Sequence, residues 1–278
     1  ERCKRYQSPH KAVMDILHDA FPPKNAHVKH AVINLDAQRY LKESFGLESI
    51  VVPNVMDFSV PYAKKDSYNK DLLKCIGLGE KDKALFQMTR IVKRKGILTA
   101  IDLVHRLKDP NIKLVISGTW ADDERLGYYK KLLKKIKKHN LHDNVVFANH
   151  CISHKRSKRK DGRPIYSLSD AYAHATASTY FSTYEGFGNA FVESVLAKRP
   201  IFVNNYKPVY WPDIGSKGFK AVMIENGELT DDAVSQIDNI IHDKKRCKEI
   251  AEHNFALGKK YFSYEVLEEI LTDLFTVS

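Results

Sequence analysis

The sequence lacks the features of membrane-spanning and secreted proteins. Its apolar stretches, such as residues 84–88, are much shorter than the ~20 residues that a membrane-spanning helix needs. The first six residues include three basic ones, but no apolar segment or cleavage site follows them, so they do not predict a secretory signal. The chain also lacks an initiator methionine. We therefore expect it to be part of a longer protein.

Cysteine is scarce, and its spacing predicts neither a metal site nor a redox motif. The four cysteines are Cys3, Cys75, Cys151 and Cys247. A chain of 278 residues is large enough to fold around an apolar core without disulfide bonds, so we expect a reducing, cytoplasmic location. No Asp-x-Asp motif follows a predicted strand. No metal ion or cofactor is therefore expected.

Acidic residues are outnumbered, since 34 Asp and Glu against 45 Lys and Arg give a formal net charge of +11. This excess favours an anionic partner, which could be a nucleotide, a membrane surface or a nucleic acid. Residues 130–138 carry leucine and isoleucine at helical spacing and predict the solvated face of a surface helix. Residues 155–160 predict a loop. Either patch could contact a membrane peripherally, but no motif predicts nucleic-acid binding.

Short apolar segments alternate with helical patterns along most of the chain. The predicted strands of this region are residues 84–89, 113–117, 144–148, 178–181, 200–203 and 221–224. The helices predicted between or after them are residues 96–107, 123–139, 167–174, 189–197, 231–242, 245–260 and 264–275. This alternation predicts an α/β fold with a doubly wound, Rossmann-like parallel sheet.

A smaller α/β unit precedes this region. It consists of a strand at 28–34, a helix at 36–45 and a strand at 50–52 that Pro53-Asn54 ends. The polar segment that follows predicts a domain boundary near residues 55–70.

The segment from Glu185 to Glu193 carries the pattern most specific for a ligand. In a doubly wound sheet, ligands bind at the carboxyl ends of the strands, where helices present free N–H groups. Gly186 and Gly188 let the backbone approach a phosphate before the helix that starts near Asn189. The two carboxylates flank this helix start and can each accept hydrogen bonds from paired sugar hydroxyls. The pattern predicts a nucleotide-sugar site.

Two other interpretations of this segment are a dinucleotide-binding loop and an ordinary surface helix. The Gly-x-Gly pattern lacks the third glycine and the later acidic residue of dinucleotide-binding proteins, which argues against a dehydrogenase. Taken alone, Glu193 could also be an ordinary residue of a surface helix. The longer motif of residues 183–193 favours the nucleotide-sugar site over both of them.

Residues 183–193 (TYEGFGNAFVE), followed by residues 197–203 (AKRPIFV), resemble the signature of glycosyltransferase family 4, the retaining enzymes of GT-B fold. Residues 51–57 (VVPNVMD) are similar to the segment that opens that family's C-terminal domain, and residues 89–96 (TRIVKRKG) to its phosphate-binding loop. Residues 114–118 and 166–170 also match. The resemblance extends over residues 28–275.

The resemblance implies that Arg90 and Lys95 neutralise the donor diphosphate. Both are placed at the carboxyl edge of the predicted sheet, where an anion is already favoured. Lys93 and Arg94 are expected to be solvated. Since the family's catalytic histidine has no counterpart in the chain, no catalytic base is assigned, and charge stabilisation is left to Arg90 and Lys95. Glu185 is the third residue expected at the reaction centre.

The other donor contacts follow from the same resemblance. Glu193 would hold the ribose hydroxyls, and Glu185 would contact the transferred sugar. His150 would either stack on the nucleobase or remain solvated. The full set of expected donor-binding residues, many of them contributing backbone groups, is Gly118, Asn149, His150, Gly186, Phe187, Gly188, Asn189 and Glu193.

Two departures from the family define the expected organisation. Residues 1–60 would be only the tail of the N-terminal acceptor domain, most of which is missing, residues 61–262 the donor domain, and residues 263–278 a helix crossing back. Residues 154–164 are a polar insertion. The insertion is expected either to contact an acceptor, membrane or partner, or to be an unconstrained loop.

The sequence thus predicts metal-independent, retaining transfer of a glucosyl or mannosyl group from a UDP- or GDP-sugar. The acceptor would be a small molecule or a glycan, and the similarity favours glycerate-type solutes. The alternative is a catalytically incomplete module that binds nucleotide sugars without transfer.

Overall fold

The computed structural model describes residues 10–118 and 123–276. Helix α1 (Lys11–Ala20) comes first and was not predicted. Strand β1 (His30–Val32), helix α2 (Leu35–Phe45) and strand β2 (Ser49–Val51) then form the small unit expected from the sequence. The two strands pair in parallel. Helix α2 starts at Asn34, whose side chain accepts a hydrogen bond from the Ala37 N–H at 2.7 Å.

The main sheet has six parallel strands, which are β3 (Lys83–Gln87), β4 (Ile112–Ile116), β5 (Val145–Phe147), β8 (Ala177–Tyr180), β9 (Ile201–Asn204) and β10 (Val222–Ile224). Their order in the sheet is β10-β9-β8-β3-β4-β5. From β3 the strands are added in one direction to β5, and from β8 in the other direction to β10. The strand order therefore reverses between β3 and β8, which is where doubly wound sheets bind ligands.

Helices cover both faces of this sheet, as the sequence predicts. They are α3 (Leu72–Cys75), α4 (Ile97–Leu107), α5 (Asp123–Lys138), α6 (Leu168–His174), α7 (Asn189–Leu196), α8 (Tyr210–Asp213), α9 (Asp231–His242), α10 (Lys244–Phe262) and α11 (Tyr264–Thr276). Successive strand residues point to opposite faces. Leu85 therefore packs in the core under α4, α5 and α9, whereas Phe86 packs in the core beside α3 and α6.

Helix α5 carries the first lysine run on its solvated side. Leu132 and Ile136 are buried, as expected, but Leu133 is exposed. The helical spacing therefore identifies the buried face correctly for Leu132 and Ile136 but not for Leu133. Leu133 adjoins the exposed Lys134 and lies off the core face.

The second basic run is mostly loop, as predicted, but Ser157 and Lys158 form a strand that was not predicted. Strands β6 (Ser157–Lys158) and β7 (Pro164–Ile165) form an antiparallel hairpin within the insertion. The Arg156 guanidinium Nε donates to Asp170 at 2.9 Å, and its Nη2 donates to Asp66 at 2.7 Å. Burial alone would raise the pKa of Asp170, but hydrogen bonds from Arg156, Asn69 and Ser167 lower it to about 2. The insertion is thus anchored to α6.

Helix α11 packs against the N-terminal part of the chain. The Met56 N–H donates to the Phe262 carbonyl at 2.8 Å where α10 ends, and the Lys29 ammonium donates to the Leu274 carbonyl. Within the described ranges, no helix combines the length and apolar character needed to cross a membrane.

Candidate functional site

Two loops lie side by side at the point where the strand order reverses. One follows β3 and contains Arg94 and Lys95; the other follows β8 and contains Thr183. The Thr183 N–H donates to the Arg94 carbonyl at 2.8 Å, and the Gln87 amide donates to the Lys95 carbonyl at 2.7 Å. These hydrogen bonds fix the first loop against the second and to the end of β3.

A buried ion pair connects the two loops. The Lys95 ammonium donates to Glu185 Oε1, and each of these residues is 9% exposed. Arg94 Nη1 lies 3.1 Å from Glu185 Oε2 and donates to the Tyr184 carbonyl at 2.8 Å. Arg94 is therefore part of the site, and the expectation that it would be solvated was wrong. Lys93 is exposed, as expected.

Charge and burial shift the pKa values of Lys95 and Glu185 in opposite directions. Burial lowers the pKa of Lys95, although Glu185 opposes the effect. Burial alone would raise the pKa of Glu185, but Lys95, with smaller contributions from other groups including Arg94, outweighs it and holds that pKa below its ordinary value. Glu185 is therefore a carboxylate at neutral pH, and its charge is compensated by two cations.

Arg90 supplies a further positive charge at the same edge. Its side chain is exposed just beyond β3, and its charge contributes to lowering the pKa of Lys95. Within residues 10–118 and 123–276, the Arg90 guanidinium has no recorded hydrogen bond or ion pair. It is thus available to bind an anion beside Lys95.

The start of α7 completes the anion-favouring edge. Gly188 has a φ of +134°, and a Cβ there would lie 2.1 Å from the Tyr206 hydroxyl oxygen. That hydroxyl donates to the Phe187 carbonyl at 2.9 Å, while the Phe187 ring is buried against Phe262. Among the described residues, the N–H groups of residues 186–189 have no protein acceptor. They and the positive end of the helix can bind a phosphate.

Glu193 lies one turn further along α7, in a different environment. Burial raises the pKa of its carboxyl group above the ordinary value, although the Tyr172 hydroxyl and Lys95 oppose this effect. The Tyr172 hydroxyl donates to Glu193 Oε2 at 3.3 Å. Glu193 borders a pocket of about 390 Å³ whose other lining residues are Val55, Met56, Asp57, Val60, Pro61, Tyr62, Leu196 and Tyr264. A half-buried carboxylate beside a pocket is suited to accept hydrogen bonds from hydroxyl groups.

The remaining predicted residues follow β4 and β5 at the same edge. A Cβ on Gly118 would lie 1.8 Å from the Thr89 carbonyl oxygen, so packing between two loops already requires this glycine. Asn149 is half-buried and His150 is exposed, with its Nδ1 3.1 Å from the Phe147 carbonyl. Donor contacts by all three remain predictions. Residues 119–122 of the expected donor loop lie outside the described residues.

Buried polar atoms without a protein partner also occur at this edge. Within the described part of the chain these include Thr89 Oγ1, after β3, and Asn205 Oδ1, after β9. Leaving such an atom without a partner costs about 1–3 kcal/mol. A polar ligand or water bound at this edge would remove that cost.

Several contacts of the site were not predicted from the sequence. Asn34 Nδ2 donates to the Gly186 carbonyl at 2.6 Å, and Asn54 Nδ2 donates to Asn189 Oδ1 at 2.7 Å. Both asparagines belong to the N-terminal part of the chain, and each forms a hydrogen bond with one end of the segment 186–189. The Pro53-Asn54 pair is conspicuous in the sequence and could have marked Asn54 as a residue of the site.

Two cysteines meet near the loop after β5, although their spacing predicts no pairing. The sulfur atoms of Cys75 and Cys151 are 2.7 Å apart, and both are free thiols. Burial raises the pKa of Cys151 to about 12, so its thiol is protonated at neutral pH. No group of three His, Cys, Asp or Glu residues suitable for a metal ion is found in the described ranges.

The family model for "Glycosyl transferases group 1" matches residues 70–256. The chain therefore belongs to the group 1 glycosyl transferases, and the resemblance noted in the sequence is confirmed.

Two mannosylglucosylglycerate synthases are similar in sequence. The protein of Thermotoga maritima is 33% identical over 287 residues, which cover 93% of this chain and 64% of that protein. The protein of Petrotoga mobilis is 36% identical over 239 residues, covering 79% of this chain and 53% of that protein. The chain thus spans less than two thirds of the length of either relative.

Solved structures confirm the α/β fold with its doubly wound sheet. The Anabaena protein HepE, in complex with UDP and glucose, has a TM-score of 0.67 at 18% identity, covering 89% of this chain and 62% of that one. WaaG, a glycosyltransferase of lipopolysaccharide biosynthesis, has a TM-score of 0.66 at 15% identity, covering 99% and 70%. The fold is that of GT-B glycosyltransferases.

Proposed function

We propose that this chain carries the donor site of a retaining hexosyltransferase, which transfers a glucosyl or mannosyl group from a UDP- or GDP-sugar. The observation that carries the proposal is the meeting of Lys95, Arg94 and Glu185 with the free N-terminus of α7 where the strand order reverses. Cations and unpaired N–H groups suit a diphosphate, and flanking carboxylates suit the hydroxyls of two sugar rings.

The proposed roles follow from this geometry. Arg90 and Lys95 stabilise the negative charge that the diphosphate gains as the bond to the sugar breaks, and the N–H groups of residues 186–189 add to this stabilisation. Glu193 accepts hydrogen bonds from the ribose in the neighbouring pocket. Glu185, held by its cations, accepts them from the transferred sugar. This charge stabilisation comes from protein groups, and we propose that the reaction needs no metal ion.

The relatives refine the choice of substrates. Both are named for the synthesis of mannosylglucosylglycerate, and HepE has been solved with UDP-glucose. We therefore propose that the chain serves mannosyl transfer to a small glycerate glycoside. Acceptor groups would come largely from chain beyond these residues.

A binding module without transfer is the second candidate. It is supported by the share of the relatives that this chain spans, 64% and 53% of their lengths. Titration calorimetry with GDP-mannose, UDP-glucose and the free nucleotides tests donor binding, and release of GDP or UDP in the presence of glucosylglycerate tests transfer. Release above the rate without acceptor supports the transferase. Binding without release supports the module, and the absence of binding contradicts both.

A further inference from the structure

We infer that Tyr172 is a positioning residue whose hydroxyl orients the Glu193 carboxylate toward the pocket that Glu193 borders. The inference rests on the proposed function, in which this carboxylate binds the ribose of the donor. Neither residue composition nor motif singled out Tyr172; only the structure shows it beside Glu193.

The contact is made by a buried phenol. Tyr172 lies on α6 and is 1% exposed. Its hydroxyl oxygen is 3.3 Å from Glu193 Oε2 and 3.3 Å from the Ala190 carbonyl. Ala190 and Glu193 are three residues apart on α7, so both acceptors are on the same face of that helix. A phenol has one proton, and a carboxylate is the stronger acceptor of the two.

Glu193 depends on this hydroxyl because it has no ion-pair partner within the described residues. Several titratable groups face it. They are Tyr172 from α6, Lys95 from the turn before α4, Asp57 and Tyr62 from the segment after β2, and Tyr264 from α11. Of these, Tyr172 is the group with a recorded hydrogen bond to the carboxylate, and that hydrogen bond lowers the Glu193 pKa against the effect of burial.

Helix α6 holds the phenol in a defined place. The Asp170 N–H donates to Ser167 Oγ at 3.2 Å, and the Ser167 N–H donates to Asp170 Oδ2 at 2.8 Å, which together form a capping box. The Tyr62 ring packs on the Tyr172 ring with centroids 6.0 Å apart. A rigid donor on a capped helix fixes the direction of the carboxylate before any ligand binds.

The Tyr172→Phe variant removes the hydroxyl and keeps the ring. Calorimetric titration with GDP and UDP is expected to show about tenfold weaker binding, since a hydrogen bond to a charged group is lost. The acid limit of binding is expected to move to higher pH, because losing this donor raises the pKa of Glu193. Tyr128→Phe, which removes another buried phenol hydroxyl on α5, is the matched control and should bind as the wild type does.

Glu193→Gln identifies the carboxylate as the group that titrates. This variant should lose the acid limit, and adding Tyr172→Phe to it should weaken binding less than twofold further. This arm keeps the test decisive if Tyr172→Phe alone does not fold, because an acid limit unchanged in Glu193→Gln overturns the inference.

The outcomes separate this inference from the proposed function. Normal binding by Tyr172→Phe, together with loss of binding in Glu193→Ala, overturns the positioning role and leaves the donor site intact. Weaker binding without a shift of the acid limit shows a purely structural role and also overturns it. Failure of the wild-type chain to bind either nucleotide rejects the proposed function itself.

Discussion

The two carboxylates at the ends of the Glu185–Glu193 segment lie in opposite electrostatic environments. Glu185 is paired with Lys95 and Arg94, which hold its pKa below the ordinary value, whereas burial beside the neutral Tyr172 phenol raises the pKa of Glu193. A buried carboxylate without a cationic partner destabilises the folded state. Glu185 therefore contributes to holding two loops together, whereas the position of Glu193 is explained better by ligand binding than by stability.

Lys95→Ala should have the largest effect, because it removes the ion pair between Lys95 and Glu185. The change leaves Glu185 buried with Arg94 as its remaining cation, and we expect a loss of about 3 kcal/mol in the free energy of unfolding. Urea denaturation measures it. The exposed neighbour Lys93 provides the control, since Lys93→Ala should change stability by less than about 0.5 kcal/mol. Equal effects of the two substitutions would contradict the buried ion pair.

Neutralising each glutamate in turn should shift stability in opposite directions at pH 7. Glu185→Gln should lose about 1–2 kcal/mol, because a carboxylate with a lowered pKa stabilises the fold above its unfolded pKa near 4.5. This loss should shrink as the pH falls through the folded pKa. Glu193→Gln should instead gain up to about 1 kcal/mol at pH 7, because its ionisation costs stability above its raised pKa.

Thermal unfolding between pH 4 and pH 7 checks both signs in the absence of nucleotide. The advantage of Glu193→Gln should disappear on acidification, when the wild-type carboxyl group becomes protonated. A stability loss of the same sign in both variants would remove the distinction between the two carboxylates.

Arg156→Ala should have the smallest effect of these substitutions, and it should act on the surroundings of Glu193 through helix α6. It removes the hairpin's hold on Asp170, and we expect about 1 kcal/mol of destabilisation and a small loss of nucleotide affinity through α6. Denaturation and calorimetry measure the two effects. Lys155→Ala, at an exposed position of the same run, should change neither. If Arg156→Ala also changed neither, the insertion would not be anchored as described.

Much of the fold could be predicted because its signals are local and repeated. Alternating apolar strands and amphipathic helices gave the order of elements, and the helix Asp231–His242 has the predicted bounds. Helix α1, the short helices α3 and α8 and the β6–β7 hairpin were missed. The hairpin is short and polar, so it depends on contacts outside its own strands, such as those of Arg156 with Asp170 on α6 and with Asp66, 90 residues earlier in the chain.

The candidate site was predictable only where a motif marked it. Glu185, Glu193 and Lys95 were identified from strings of adjacent residues. Arg94 was misjudged because its neighbours in sequence are basic, while its partner Glu185 comes from another loop. Tyr172 was missed for the same reason, since its contact with Glu193 joins two helices across the fold.

The most direct test of the account is calorimetric titration of GDP and UDP into the wild-type chain and into Arg90→Ala and Glu193→Ala. We expect saturable binding of at least one nucleotide by the wild type, and both variants should fold but not bind. Lys93→Ala should bind normally. Wild-type affinity in either Arg90→Ala or Glu193→Ala would contradict the assignment of the donor site.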